Sequence, residues 1–216
     1  MKNTIMKALK FIPLVAVLFA ACSKEDVVSP VSPTPSTPTQ NVQFYNLPVD
    51  GAAQFTGNID GSSAQFIDGQ DGVSNVASVT FNGSNTTLSS EFTIRDNGIV
   101  VGKLVIAKRY ITQSSMADTA NVRQFFAPKA YGFAQGNGNS GIMITYIDHN
   151  NVVWTSNGEQ SGATFEIKSN KSTFSRPCDV DTYEVKNKID MACTLYNNGK
   201  SMSISGSAVG KFAVAY

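Results

Sequence analysis

An all-β fold is what this sequence predicts for residues 41–216: an antiparallel β-sandwich or jelly-roll-like single domain with at most one short helix. Three observations carry that expectation. Turn dipeptides recur at short intervals, the runs between them are rich in Val, Ile, Thr, Phe and Tyr, and several runs alternate strictly between apolar and polar residues. Asp-Gly occurs at Asp50, Asp60, Asp68 and Asp71, and Asn-Gly at Asn82, Asn97, Asn137, Asn157 and Asn198. Both dipeptides accept the positive φ that tight hairpin turns demand.

The chain begins with a segment set apart from that pattern. Lys2, Lys7 and Lys10 precede an apolar run, Phe11 to Phe19, and Ala20-Ala21 supplies small residues before Cys22. A run this short falls well below the roughly 20 residues that span a bilayer, so residues 1–21 read as a processing signal outside the fold. Residues 29–40 (SPVSPTPSTPTQ) carry four prolines and nothing to bury. The segment 22–40 reads as a stalk; extended at about 3.1 Å per residue, its residues 23–40 would reach roughly 55 Å.

Leu18-Phe19-Ala20-Ala21-Cys22 resembles the lipobox of bacterial lipoproteins, with Phe19 in place of the usual Leu. The resemblance implies that the Cys22 thiol receives diacylglycerol and becomes the lipid-modified mature N-terminus. Ser23-Lys24-Glu25-Asp26 resembles the export signal of Bacteroidota surface lipoproteins, and Asp118-Thr119-Ala120 looks like that phylum's O-glycosylation sequon, with Thr119 as acceptor. The whole layout is similar to the small β-sandwich lipoproteins of that group. The address implied is the outer membrane, lipid-anchored and surface-exposed, with the periplasmic face as the alternative. Lipid at Cys22 leaves Cys178 and Cys193, and an oxidising exterior suggests one disulfide between them, two buried free thiols being the alternative. Closing that loop would contribute about 3 kcal/mol by chain entropy.

Within the body, Ala163, Phe165 and Ile167 alternate with Thr164, Glu166 and Lys168 as in a half-buried strand, and Ile189, Met191, Cys193 and Leu195 repeat the pattern. Ile99–Ala107 and Ile142–Ile147 are apolar on both faces and read as central strands. One helix is expected after the capping-box-like Ser115–Asp118, with Val122, Phe125 and Phe126 facing the core and Pro128 ending it.

Composition and motifs narrow the chemistry mostly by exclusion. Without the signal, 14 basic residues stand against 16 acidic ones, which is no nucleic-acid footprint. His149 is the only histidine, so His-rich metal sites are excluded, and it falls in the expected loop Asp148-His149-Asn150-Asn151. Asp68-Gly-Gln-Asp71-Gly lacks the closing Glu of an EF-hand. No metal ligand set, catalytic group or cofactor is singled out. Glu91, Glu159, Glu166 and Glu184 keep open a secreted carboxylate-dependent hydrolase, which needs two converging acids. The favoured function is a non-enzymatic binding or assembly module for a glycan or envelope protein, touching membrane only through its anchor. Its candidate ligand residues are Tyr146 and Trp154. They face each other if the loop is His149–Asn151 with Asn151 left-handed, whereas a two-residue turn would pair Tyr146 with Val153.

Overall fold

The computed structural model describes residues 42–82, 85–111, 119–136, 139–175 and 182–215. Cys22, the stalk and Cys178 lie outside them. The chain divides into Met1–Thr39 and Gln40–Tyr216, and every described residue belongs to the second unit.

Eleven strands and one helix make up the described part: β1 Gln54–Ile59, β2 Ser62–Ile67, β3 Val73–Asn82, β4 Asn85–Asp96, β5 Ile99–Ile111, α1 Thr119–Phe125, β6 Lys129–Ala130, β7 Gly141–Ile147, β8 Val153–Thr155, β9 Thr164–Ser175, β10 Thr182–Asn197 and β11 Lys200–Ala215. The all-β expectation holds. In place of two discrete sheets, one antiparallel sheet runs β2-β1-β11-β10-β8-β7-β5-β4-β3 and curls until it is nearly closed into a barrel-like shape. The difference lies in the neighbours of β10, which sequence patterning does not encode. Its edge carries β9 along Thr182–Ala192 and touches β8 at Tyr196. Lys129–Ala134 then joins β9 to β7: Lys129 pairs with Ile167, Tyr131 donates its N–H to the Phe165 carbonyl, and Ala134 donates to Ile142.

The turn dipeptides act as their chemistry requires. Ile59 pairs with Ser62, Asp96 with Ile99 and Asn197 with Lys200, each across a two-residue loop. Both residues of Asp60-Gly61, Asn97-Gly98 and Asn198-Gly199 have φ between 45° and 81°, as a type I′ turn needs.

Alternation assigns the interior. Phe165, Ile167, Ile189, Met191, Cys193 and Leu195 are all buried, joined by Leu88 and Phe92 of β4, Leu104 and Ile106 of β5, and Ile142 and Ile144 of β7. The reading of Ile99–Ala107 as apolar on two covered faces needs correction at its start. Ile99 is 70% exposed and Val100 44%, because they stand beside the Asn97-Gly98 turn where the wall runs out into solvent.

Between β3 and β11, where no strand ladder forms, side chains close the wall. Lys211 Nζ lies 2.6 Å from Asp68 Oδ2, and Asp68 Oδ1 accepts the Asn75 N–H at 2.9 Å. Asn75 Oδ1 accepts the Lys211 N–H and its amide donates to Ser90 Oγ at 2.8 Å. Burial alone would raise the Asp68 carboxyl, but the Lys211 hydrogen bond, the Asn75 N–H and the charges of Lys211 and Lys186 outweigh it and hold it low. Gly210 is required here, since a Cβ would come 2.7 Å from Ser90 Oγ.

Near the seam Asn187 is fully buried on β10, opposite Gly210, and neither polar atom of its side chain has a hydrogen-bond partner.

The expected helix forms as α1. Val122 and Phe126 are each 1% exposed, and the Phe126 ring lies 4.8 Å from both Phe125 and Phe212. Pro128 follows its last turn. Thr119 opens α1, but its side chain is outside the description.

Cys193 is buried on the inward face of β10, and burial pushes its thiol up to about 12. Cys178, the partner expected for it in a disulfide, lies outside the described residues.

Candidate functional site

The β7–β8 hairpin adopts the three-residue loop. Asp148 and Val152 close it, with the Asp148 N–H donating to the Val152 carbonyl at 3.1 Å, and Asn151 sits at φ 60°. Asp148 Oδ1 accepts the N–H groups of Asn150 and Val152, and Oδ2 accepts Trp154 Nε1 at 3.1 Å. Those three hydrogen bonds, with His149 adding to them, outweigh the opposing effect of burial and hold the Asp148 carboxyl low. His149 is exposed at the tip, its Nε2 3.0 Å from the Asn150 amide nitrogen.

Tyr146 pairs with Trp154, the register of the three-residue alternative. Both rings are half-buried and pack against the core rather than standing free. Burial, followed by the Asp148 charge, raises the Tyr146 hydroxyl. The pair therefore belongs chiefly to the hydrophobic rim of the interior.

The opposite face of the same hairpin carries a groove of about 190 Å3, lined by Met143, Thr145, Thr155 and Asn157, with Arg109 and the loop at Ala134 and Gly136. Thr145 and Thr155 are cross-strand partners, and Arg109 pairs with Gly141 on the neighbouring strand. The Arg109 guanidinium donates to the carbonyls of Asn139 and Gly136, each at 2.9 Å, and Asn157 Oδ1 accepts the Gly136 N–H at 2.8 Å. Gly141 makes the loop's approach possible: a Cβ there would lie 2.6 Å from the Ala134 nitrogen. Among the described residues lining the groove, Arg109 carries the one charge. Two hydroxyls, a carboxamide and a guanidinium on a rigid wall present mixed donors and acceptors to a polar ligand.

The glutamates are dispersed. Glu91 pairs with Lys103 at 3.0 Å and Glu166 with Lys168 at 2.6 Å on separate strands, while Glu159 lies in the loop before β9 and Glu184 on β10. A general acid at neutral pH needs a raised carboxyl, whereas among the described residues the two aspartates whose titration is displaced, Asp68 and Asp148, are both lowered.

The structure brings Tyr146 and Trp154 together as cross-strand partners, half-buried against the core. The same alternation puts Thr145 and Thr155 on the other face of the hairpin, beside the groove. Nothing local announces that residues 132–136 dock beside Gly141. Comparison with protein-family models, curated proteins and solved structures yields no match.

Proposed function

We propose that this chain is a lipid-anchored, surface-exposed outer-membrane lipoprotein whose β body is a non-enzymatic binding module for a glycan. The groove beside β7 and β8 is its ligand surface. The observation that carries the reading is the set Thr145, Thr155, Asn157 and Arg109 held on one wall. Sugar hydroxyls exchange hydrogen bonds with water for bonds of similar strength, so recognition rests on several fixed donors and acceptors more than on one strong contact. The anchoring half rests on the Ala-Ala-Cys22 junction and the proline-rich stalk.

Titration of the isotope-labelled protein with a panel of neutral and acidic oligosaccharides tests the binding half. Amide shifts should cluster at Thr145, Thr155 and Asn157, and Thr145→Val with Thr155→Val should weaken them about tenfold with the fold intact. Shifts confined to other strands would move the site, and an unchanged double variant would remove these hydroxyls from it. Fatty-acid labelling of cells carrying wild type or Cys22→Ala tests the anchor, and equal labelling of the two would end that half. Protease shaving of intact cells separates a surface address from a periplasmic one.

A further inference from the structure

Arg109 stands in β5 between Thr87 of β4 and Gly141 of β7, and Gly141 adds no side chain to the wall beside it. Its planar guanidinium presents N–H donors along two edges. One edge is taken up by the loop: Nε donates to the Asn139 carbonyl and Nη2 to the Gly136 carbonyl, each at 2.9 Å. The other edge, Nη1 with the second Nη2 hydrogen, has no partner among the described residues. Nor is there a carboxylate among the described residues that line the groove, so this edge meets no counter-charge from the wall.

We propose that the groove takes a carboxylate-bearing sugar, a uronic or sialic acid residue, whose carboxylate accepts two parallel hydrogen bonds from the free edge of Arg109. The inference rests on the glycan reading of the groove and narrows it to acidic glycans. A planar carboxylate matches that edge in both spacing and charge. The two loop carbonyls hold the guanidinium in place before a ligand arrives, which reduces the rotamer freedom lost on binding. Gly136 is itself fixed, because its N–H donates to Asn157 Oδ1 at 2.8 Å, so one network positions Arg109 and Asn157 together. With Oδ1 engaged, the Asn157 amide nitrogen is left to donate to a sugar, and Thr145 and Thr155 add hydroxyls from the paired strands. In an open groove water screens an isolated charge pair. Discrimination therefore comes from the fixed fork and the neighbouring polar groups acting together.

Titration of the full chain with oligosaccharides of galacturonate and of N-acetylneuraminate, each beside its methyl ester, isolates the charge, since acid and ester share every ring hydroxyl. Wild type should bind one of the acids about tenfold more tightly than its ester, with amide shifts at Thr145, Thr155 and Asn157. Arg109→Gln should reduce the acid to the affinity of the ester. Arg109→Lys, a point charge without a fork, should recover only part of the difference. Because both variants also release the loop carbonyls, the Nη resonances of Arg109 in 15N-arginine wild type give the second reading: they should move with the acid and stay with the ester. An acid preference with those resonances unmoved would put the carboxylate elsewhere and overturn the fork. Acid and ester binding the groove equally would overturn the inference and leave the glycan reading standing, whereas no shift in the groove with any of these probes would overturn both. A sulfated neutral oligosaccharide bound as tightly as the acid would also overturn the carboxylate fork, leaving a site for anions in general.

Discussion

The β3–β11 seam and the α1 cap both join parts of the wall that no strand ladder connects, yet they handle a lysine in opposite ways. At the seam Lys211 meets Asp68 at 2.6 Å, and Asn75 and Ser90 complete the bonding around them. At the cap Lys108 meets ring faces and a carbonyl. The contrast teaches that burial sets the cost of a charge and its partner sets the pH at which that cost is felt. Asp68, held below its ordinary value of 3.8, stabilises the fold above that pH and loses the contribution as pH falls through its lowered pKa. Lys108, lowered from 10.5 to about 7, binds its proton less readily folded than unfolded. Stability therefore rises with pH across that window, and below about 7 the buried charge opposes folding in full.

The hardest blow to the cap is Phe126→Ala, since that ring is 1% exposed and packs on both Phe125 and Phe212. It should cost about 3–5 kcal/mol in urea unfolding; a loss under about 1 kcal/mol would mean the cap is not part of the core. Asn75→Ala strikes the seam by orphaning Ser90 Oγ and the Lys211 N–H. Its expected cost is about 1–3 kcal/mol, read in the same assay. Asn187→Leu tests a buried polar group that neither arrangement satisfies. Replacing it with an apolar side chain of similar size should raise stability by about 1–2 kcal/mol, and a destabilised variant would reveal a partner for that amide.

Asp68→Asn keeps the acceptor and removes the charge, at about 1 kcal/mol near neutrality. Its sharper signature is in the pH profile. It should erase the loss of stability below pH 4 and leave the dependence between about pH 7 and 10, while Lys108→Met does the reverse. Identical profiles for the two variants would dissolve the distinction between seam and cap. Glu91→Gln supplies the smallest effect, because its pair with Lys103 leaves the two side chains 26% and 32% exposed. A change of about 0–1 kcal/mol is expected; a larger one would show that pairing matters as much as burial.

Local chemistry was legible where a residue's preference is satisfied by its immediate neighbours. The Asp60-Gly61, Asn97-Gly98 and Asn198-Gly199 turns, the alternation of Ile189 to Leu195 and the helix ending at Pro128 all follow from backbone conformational preference and from burial on one face, which short stretches encode. The hairpin register stayed open in the sequence between a three-residue loop and a two-residue turn, and the structure takes the first, with Asn151 left-handed and Tyr146 opposite Trp154. Groups brought together from distant positions were not legible. Asp68 reaches Lys211 across 143 residues and Lys108 reaches Phe125 across 17, through contacts that exist only after the sheet has curled. Sequence alone determined strands and turns, since those depend on propensities and spacing along the chain. Tertiary structure alone decided which face of β7–β8 became a groove and which lysine lost its counter-charge, since desolvation and Coulomb interaction depend on what the fold places nearby.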